Sequence, residues 1–152
     1  MLSRVSQRSL KSSSPDETYR IGSRIGKLLS AGSIVCLYGE VGSGKTTMIK
    51  GIASAFGIGS HDITSASFTI IAEYPTDPPF NHVDLYRLER EDDVLETGLY
   101  EYFDTNHVTV IEWAERLPET PENAVRITLE IVSEHEREIT VEGLDEKNWD
   151  HL

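Results

Sequence analysis

Ile34-Val35-Cys36-Leu37-Tyr38-Gly39-Glu40-Val41-Gly42-Ser43-Gly44-Lys45-Thr46 is the stretch on which the fold turns. Its first five residues are apolar or β-prone and bounded by glycine, the composition of a strand buried on both faces of a parallel sheet. The next eight match G-x-x-x-x-G-K-[ST], a loop whose glycines let backbone N–H groups converge on phosphate oxygens. Met48, Ile49, Ile52, Ala53 and Phe56 then repeat at helical spacing until Gly57. The motif therefore lies where its mechanism needs it, after a buried strand and opening a helix, whose amino end adds a positive dipole.

Outward from this core, Ser14 reads as an N-cap. Pro15 follows at the first helical position, then Asp16 and Glu17, whose charges favour a helix amino end. Ile21, Ile25, Leu28 and Leu29 continue the helix, and Gly32 ends it. Residues 1–14 are polar and serine-rich without apolar periodicity, and are read as a flexible arm. On the other side, a short strand is expected at residues 63–64, a stronger one at 68–74, a turn at 75–79 and a strand at 80–85. Residues 89–103 are helical in composition with a break at Gly98. Residues 108–111 form another buried strand ending in Glu112. Residues 124–132 and 138–141 alternate as a half-exposed antiparallel hairpin. This order predicts one α/β domain over residues 15–144: a P-loop NTPase-like sheet, parallel at the centre, with antiparallel edge strands and helices on both faces. Residues 145–152 are left as a tail.

The chain has 152 residues, enough for one domain with a sizeable core. No stretch approaches the roughly 20 apolar residues of a membrane span, so no membrane partner is expected. The single cysteine, Cys36, has no partner for an internal disulfide, and its place in a buried strand marks it as a small core residue rather than a nucleophile. The amino terminus lacks the apolar core of a secretory signal, and a cytoplasmic location is expected. Net charge is −12, unevenly spread: residues 1–60 carry 8 Lys+Arg against 3 Asp+Glu, and residues 61–152 carry 6 against 23. An acidic second half repels a phosphate backbone, so unaided nucleic-acid binding is disfavoured and a basic protein partner is favoured.

The loop assigns Glu40, Val41, Gly42, Ser43, Gly44, Lys45, Thr46 and Thr47 to phosphate binding, with Lys45 reaching the β- and γ-phosphates and the Thr46 hydroxyl ligating Mg²⁺. Parallel strands bring their carboxyl ends to the same sheet edge as this loop, which selects Glu112 and Asp84. Glu112 is placed to hold the metal, and Asp84 to hold it or to position an attacking water. His82 and Asp84 share a strand face, a spacing that also suits two metal ligands. The other histidines show no zinc-ligand spacing. ATP is favoured by elimination, because the guanine-reading Asn-Lys-x-Asp and the LSGGQ-like signature of ABC ATPases are both absent. A small-molecule kinase is the alternative, weakened by the lack of an arginine-rich lid after residue 60.

The loop is followed by Ser65-Ala66-Ser67-Phe68-Thr69, His82-Val83-Asp84-Leu85-Tyr86-Arg87-Leu88 and Ile111-Glu112-Trp113. In this order the elements resemble the TsaE (YjeE) family of bacterial P-loop ATPases, over about residues 16–142. The resemblance implies an ATPase needed for the threonylcarbamoyl-adenosine modification of tRNA. Its partners would be TsaD, which performs the transfer, and TsaB, with tRNA met only through the complex. It implies ATP and Mg²⁺ as cofactors, Thr46 and Glu112 as metal ligands, and Asp84 as important for hydrolysis. The family's Ser-Pro-Thr-Phe element appears with Ala66 and Ser67 in place of proline and threonine, leaving Ser67 as the hydroxyl near the γ-phosphate. Trp113, Arg137 and Thr18 map to regions that approach the nucleotide, although Trp113 also reads as a core aromatic and Arg137 as a solvated charge. Arg87 reads either as a transition-state cation or as a partner of nearby acids. With no compelling built-in arginine finger, hydrolysis is expected to be slow in isolation and faster on assembly.

Overall fold

The computed structural model describes residues 7–63 and 70–152, with Glu146, Trp149 and Asp150 described by their backbone alone. Seven strands form one mixed sheet: β1 (Gln7–Ser12), β2 (Ile34–Tyr38), β3 (Ile71–Tyr74), β4 (Phe80–Asp84), β5 (Val108–Glu112), β6 (Val125–Ile131) and β7 (Arg137–Glu142). Their spatial order is β1-β7-β6-β2-β5-β4-β3. The inner pairs β6–β2, β2–β5 and β5–β4 are parallel, while β1–β7, β7–β6 and β4–β3 are antiparallel. The expected architecture holds, with the glycine-rich loop leaving the end of the central strand β2.

Alternation along β2 divides the core in two. Val35 and Leu37 face the helices α1 (Pro15–Lys27) and α2 (Lys45–Ser54), joining Ile21, Ile25, Ile49 and Ile52. Ile34 and Cys36 face the other way, where Val94 of the short helix α3 (Glu91–Glu96), Leu99 of the 3₁₀ turn Leu99–Tyr102 and Leu117 cover them. Each fully buried aliphatic side chain contributes about 1.5–3 kcal/mol, so a strand apolar on both faces anchors the sheet from both sides. Cys36 lies in this core, where burial pushes its thiol up to about 12; it is a packing residue, as expected.

α1 starts as its sequence dictates. Ser14 Oγ accepts from the Glu17 N–H at 3.1 Å, Glu17 reaches back to the Ser13 N–H at 3.1 Å, and Arg24 and Lys27 lie in the last turn. The helix closes at Leu28, four residues before Gly32, which instead takes a turn at φ 96°. α1 and α2 meet through glycines. A Cβ on Gly51 would run into the carbonyl of Tyr19, and one on Gly22 into the carbonyl of Met48, so the two backbones are in contact.

Three further boundaries differ from expectation. Residues 7–12 are not an arm but the edge strand β1, paired along its length with β7. Leu10 is the one apolar residue of β1 that packs on the core, and Ser12 is buried and bonded to Thr18, so main-chain pairing and a polar contact hold the strand, and apolar periodicity could not reveal it. The tail is likewise ordered: Glu146–His151 forms a 3₁₀ helix, Leu152 packs on the core, and the Leu152 carbonyl accepts from Arg24 Nη1 at 3.0 Å. Of the strand expected over 68–74, residues 71–74 form β3; residues 68 and 69 lie outside the described residues, as does Thr64 of the short strand expected at 63–64.

Candidate functional site

The site lies at the carboxyl ends of β2, β4 and β5, at the amino end of α2. Gly44 caps α2 in a left-handed conformation (φ 102°, ψ 18°), with no side-chain cap bond and no acidic residue in the first turn. The first intrahelical bond runs from the Met48 N–H to the Gly44 carbonyl at 2.9 Å. The amides of Lys45, Thr46 and Thr47 therefore precede the helix's own ladder and present donors and a positive dipole to the opening. An open pocket of about 580 Å³ lies there, lined among others by Lys45, Thr46, Asp84, Glu112 and Trp113.

Lys45 is almost fully enclosed, with 6% exposure. Its Nζ donates to the carbonyls of Gly39 and, at 3.1 Å, of Glu40. It also lies 4.1 Å from the centre of the Trp113 ring, a cation–π arrangement. Burial pushes the Lys45 ammonium below the ordinary lysine value, against the opposing pull of Glu112, Glu115 and Asp84. Glu115 is moved in the complementary direction: burial raises its carboxyl, and Lys45 pulls it back.

Below the lysine, Thr46 Oγ1 donates to Glu112 Oε1 at 3.2 Å, and His82 Nε2 lies 2.8 Å from Glu112 Oε2. Glu112 and His82 are both buried, at 3% and 2% exposure. Asp84 is the direct register neighbour of Glu112 across the β4–β5 ladder, and its Oδ1 accepts from the Tyr86 N–H at 2.9 Å. Parallel pairing thus delivers both acidic strand ends to the loop, as the sequence predicts. His82 does not stand with Asp84 as a second ligand; its ring is turned to Glu112. Among the described residues no three of His, Cys, Asp and Glu gather into a ready-made metal cage. A cation here would be held by one or two carboxylates and a hydroxyl, completed by water and a phosphate-bearing ligand, which is the habit of Mg²⁺.

The remaining predicted residues divide. Trp113 adopts a left-handed backbone (φ 57°, ψ 44°), and its ring lines the pocket, where it packs against Tyr86 in a tilted contact with centroids 5.0 Å apart. It is a wall of the site, and it also packs on the core cluster beneath, which includes Leu85 and Ala114. Val41 is exposed beside the opening. Arg87 lines the pocket, and Thr47 lines both it and a smaller cavity of about 180 Å³ on the far side of the loop. Thr18 and Arg137 border that second cavity. The Thr18 hydroxyl is buried and bonded to Ser12 Oγ at 2.7 Å. Arg137 serves the loop itself. Its Nε donates to the Ser43 carbonyl at 3.2 Å, Nη2 to the Gly42 carbonyl at 3.0 Å, and Nη1 to the Ser133 and Glu136 carbonyls at 2.8 and 2.9 Å. The guanidinium thus ties the loop to the hairpin and is not simply solvated. Ser67 lies outside the described residues. Sequence reasoning gave no role to Tyr86, although it stands in the quoted His82-to-Leu88 element, or to His135, whose cavity forms only when the hairpin folds over the loop.

The glycine-rich loop between β2 and α2, with paired acidic strand ends beside it, defines an α/β protein of P-loop NTPase-like fold. The family model described as "Threonylcarbamoyl adenosine biosynthesis protein TsaE" matches residues 12–139. The chain is 41% identical over 131 residues to the tRNA threonylcarbamoyladenosine biosynthesis protein TsaE of Treponema pallidum, covering 86% of this chain and 96% of that one. It is 38% identical over 128 residues to the TsaE of Bacillus subtilis, covering 83% and 79%. The crystal structure of YdiB from Bacillus subtilis superposes with a TM-score of 0.74 at 32% identity, over 99% of this chain and 94% of that chain. The chain belongs to the TsaE family.

Proposed function

We propose that this protein binds ATP with Mg²⁺ at the open amino end of α2 and hydrolyses it in support of the threonylcarbamoyl-adenosine modification of tRNA. The observation that carries the reading is the Thr46 hydroxyl bonded to the buried Glu112 beneath Lys45, at the mouth of a helix that nothing in its own sequence caps. The α2 amides and the Lys45 ammonium would take the phosphate oxygens. Thr46 and Glu112 would hold Mg²⁺, with Asp84 beside them to orient the attacking water. The cation would supply charge neutralisation on the phosphates. Trp113 and Tyr86 would screen the reacting group from bulk water.

The same reading gives the protein its partners. The second half of the chain is strongly acidic, so docking on TsaD and TsaB, with tRNA held by them, fits its charge better than a direct grip on tRNA. No helix among the described residues is long and apolar enough to cross a membrane, and the reaction belongs with tRNA in the cytoplasm. Hydrolysis is slow in isolation and rises on assembly.

The test is reconstitution with TsaB, TsaD and the enzyme that makes threonylcarbamoyl-adenylate, scoring rounds of tRNA modification per complex. Repeated turnover with ATP is expected, lost in Lys45→Ala and in Glu112→Ala. Equal turnover in both variants would overturn the reading.

A further inference from the structure

Glu112 is the most enclosed carboxylate at the site, and both of its oxygens are engaged: Oε1 by the Thr46 hydroxyl at 3.2 Å, Oε2 by His82 Nε2 at 2.8 Å. His82 comes from the neighbouring strand. The β4–β5 register pairs His82 with Val110 and Asp84 with Glu112, so His82 meets Glu112 diagonally on the face that α2 covers. A carboxylate that accepts on both oxygens cannot pivot without leaving a buried donor unpaired.

We propose that His82 is a positioning residue for the nucleotide-bound cation: its Nε2–H holds Glu112 Oε2, leaving the Oε1 edge, beside Thr46, as the edge offered to the metal. The inference rests on the ATP and Mg²⁺ reading above. It assigns His82 no contact with nucleotide or metal. Its role is to keep the carboxylate in a one-oxygen pose suited to the narrow octahedral demands of Mg²⁺. Partners of this kind behind a ligand typically change metal affinity or activity by about 10–100-fold when removed.

Three measurements test it. In the full chain, the long-range ¹⁵N spectrum at neutral pH shows His82 with Nε2 protonated, and the resonance moves in Glu112→Gln. An unprotonated Nε2 overturns the proposal whatever the variants do. Second, binding of a fluorescent ADP analogue is titrated with Mg²⁺ and repeated in EDTA. His82→Leu raises the Mg²⁺ needed for half-maximal enhancement by about tenfold or more and leaves affinity in EDTA unchanged. Third, His82→Gln, whose amide donates from nearly the same place, keeps the parent's Mg²⁺ response. A normal Mg²⁺ response in His82→Leu, or an equal loss of binding in Mg²⁺ and in EDTA, makes His82 a packing residue and sinks the inference. A parent protein that binds nucleotide with no Mg²⁺ response at all refutes the metal reading itself.

Discussion

Helices α1 and α2 lie against each other with their backbones in contact, yet their amino ends are built on opposite plans. α1 has Ser14 as cap, Pro15 at its first position, and Asp16 and Glu17 to answer its dipole; its donors are satisfied from within the chain. α2 has Gly44, Lys45, Thr46 and Thr47 at the same four positions, with no side-chain cap and no acid. Local stability argues for the first plan, and each element of it contributes about 0.3–1.5 kcal/mol. A helix that forgoes all of them keeps its orphan amides and positive end for something outside the chain. Here the difference is what separates a structural helix from a binding one.

The largest expected effect comes from removing the charge that completes the open end. Lys45→Ala is expected to lower hydrolysis by about 10²-fold or more, on the scale of losing one preorganised donor to developing charge. Thermal stability should hold, because the lysine has already paid for its burial and its loss removes a desolvated ammonium. Phosphate release and a melting curve on the same sample check both halves. Next in size is the contact between the helices. Gly51→Ala forces a Cβ into the carbonyl of Tyr19; overpacking of this kind costs about 1–3 kcal/mol, more than alanine's helix-propensity gain of at most about 1 kcal/mol over glycine. A lower urea midpoint is expected, and an unchanged one would mean that the helices separate freely.

What was legible in the sequence follows the same division. The β2, loop and α2 unit is local: its signals lie within a few residues, and Lys45 and Thr46 fall where the motif places them. Glu112 and Asp84 needed one added premise, that parallel strands end on the same edge. Contacts that depend on register or on main-chain atoms were not legible. His82 finds Glu112 only through a diagonal of the β4–β5 ladder. Arg137 finds the loop through carbonyls, which leave no mark in a side-chain pattern. β1 is held by β7 and by a Ser9 to Glu138 bond of 2.8 Å, with one apolar residue turned inward, so a segment that reads as an arm is the edge of the sheet.

The comparison can be broken by moving one plan onto the other helix. Thr47 occupies in α2 the position that Glu17 occupies in α1. Thr47→Glu would give α2 an acid three residues after its cap, worth about 0.3–1 kcal/mol to the helix. The same charge would sit among the amides proposed to take phosphate. Stability should hold or rise while nucleotide affinity falls by about tenfold, the sign of a site that had been kept uncapped for function. A variant that melts higher and binds nucleotide as before would mean the open end is not where the phosphates lie.

The reverse operation, stripping the cap from α1, sharpens the contrast with a smaller effect. Ser14→Ala removes the oxygen that accepts from the Glu17 N–H and is expected to cost about 1 kcal/mol. At this chain length that is a fall of about 2–4 °C in Tm. Ser14→Asp keeps an acceptor at the same place and should restore most of it. Ser14 also borders the smaller cavity beside the loop, together with Thr18 and Arg137, so the variant reads out more than stability. If nucleotide affinity follows the modest loss of Tm and recovers in Ser14→Asp, α1 acts only as the wall against which α2 is held. If affinity falls in Ser14→Ala while Tm does not move, that cavity takes part of the ligand, and the amino end of α1 is no longer a purely structural counterpart to that of α2.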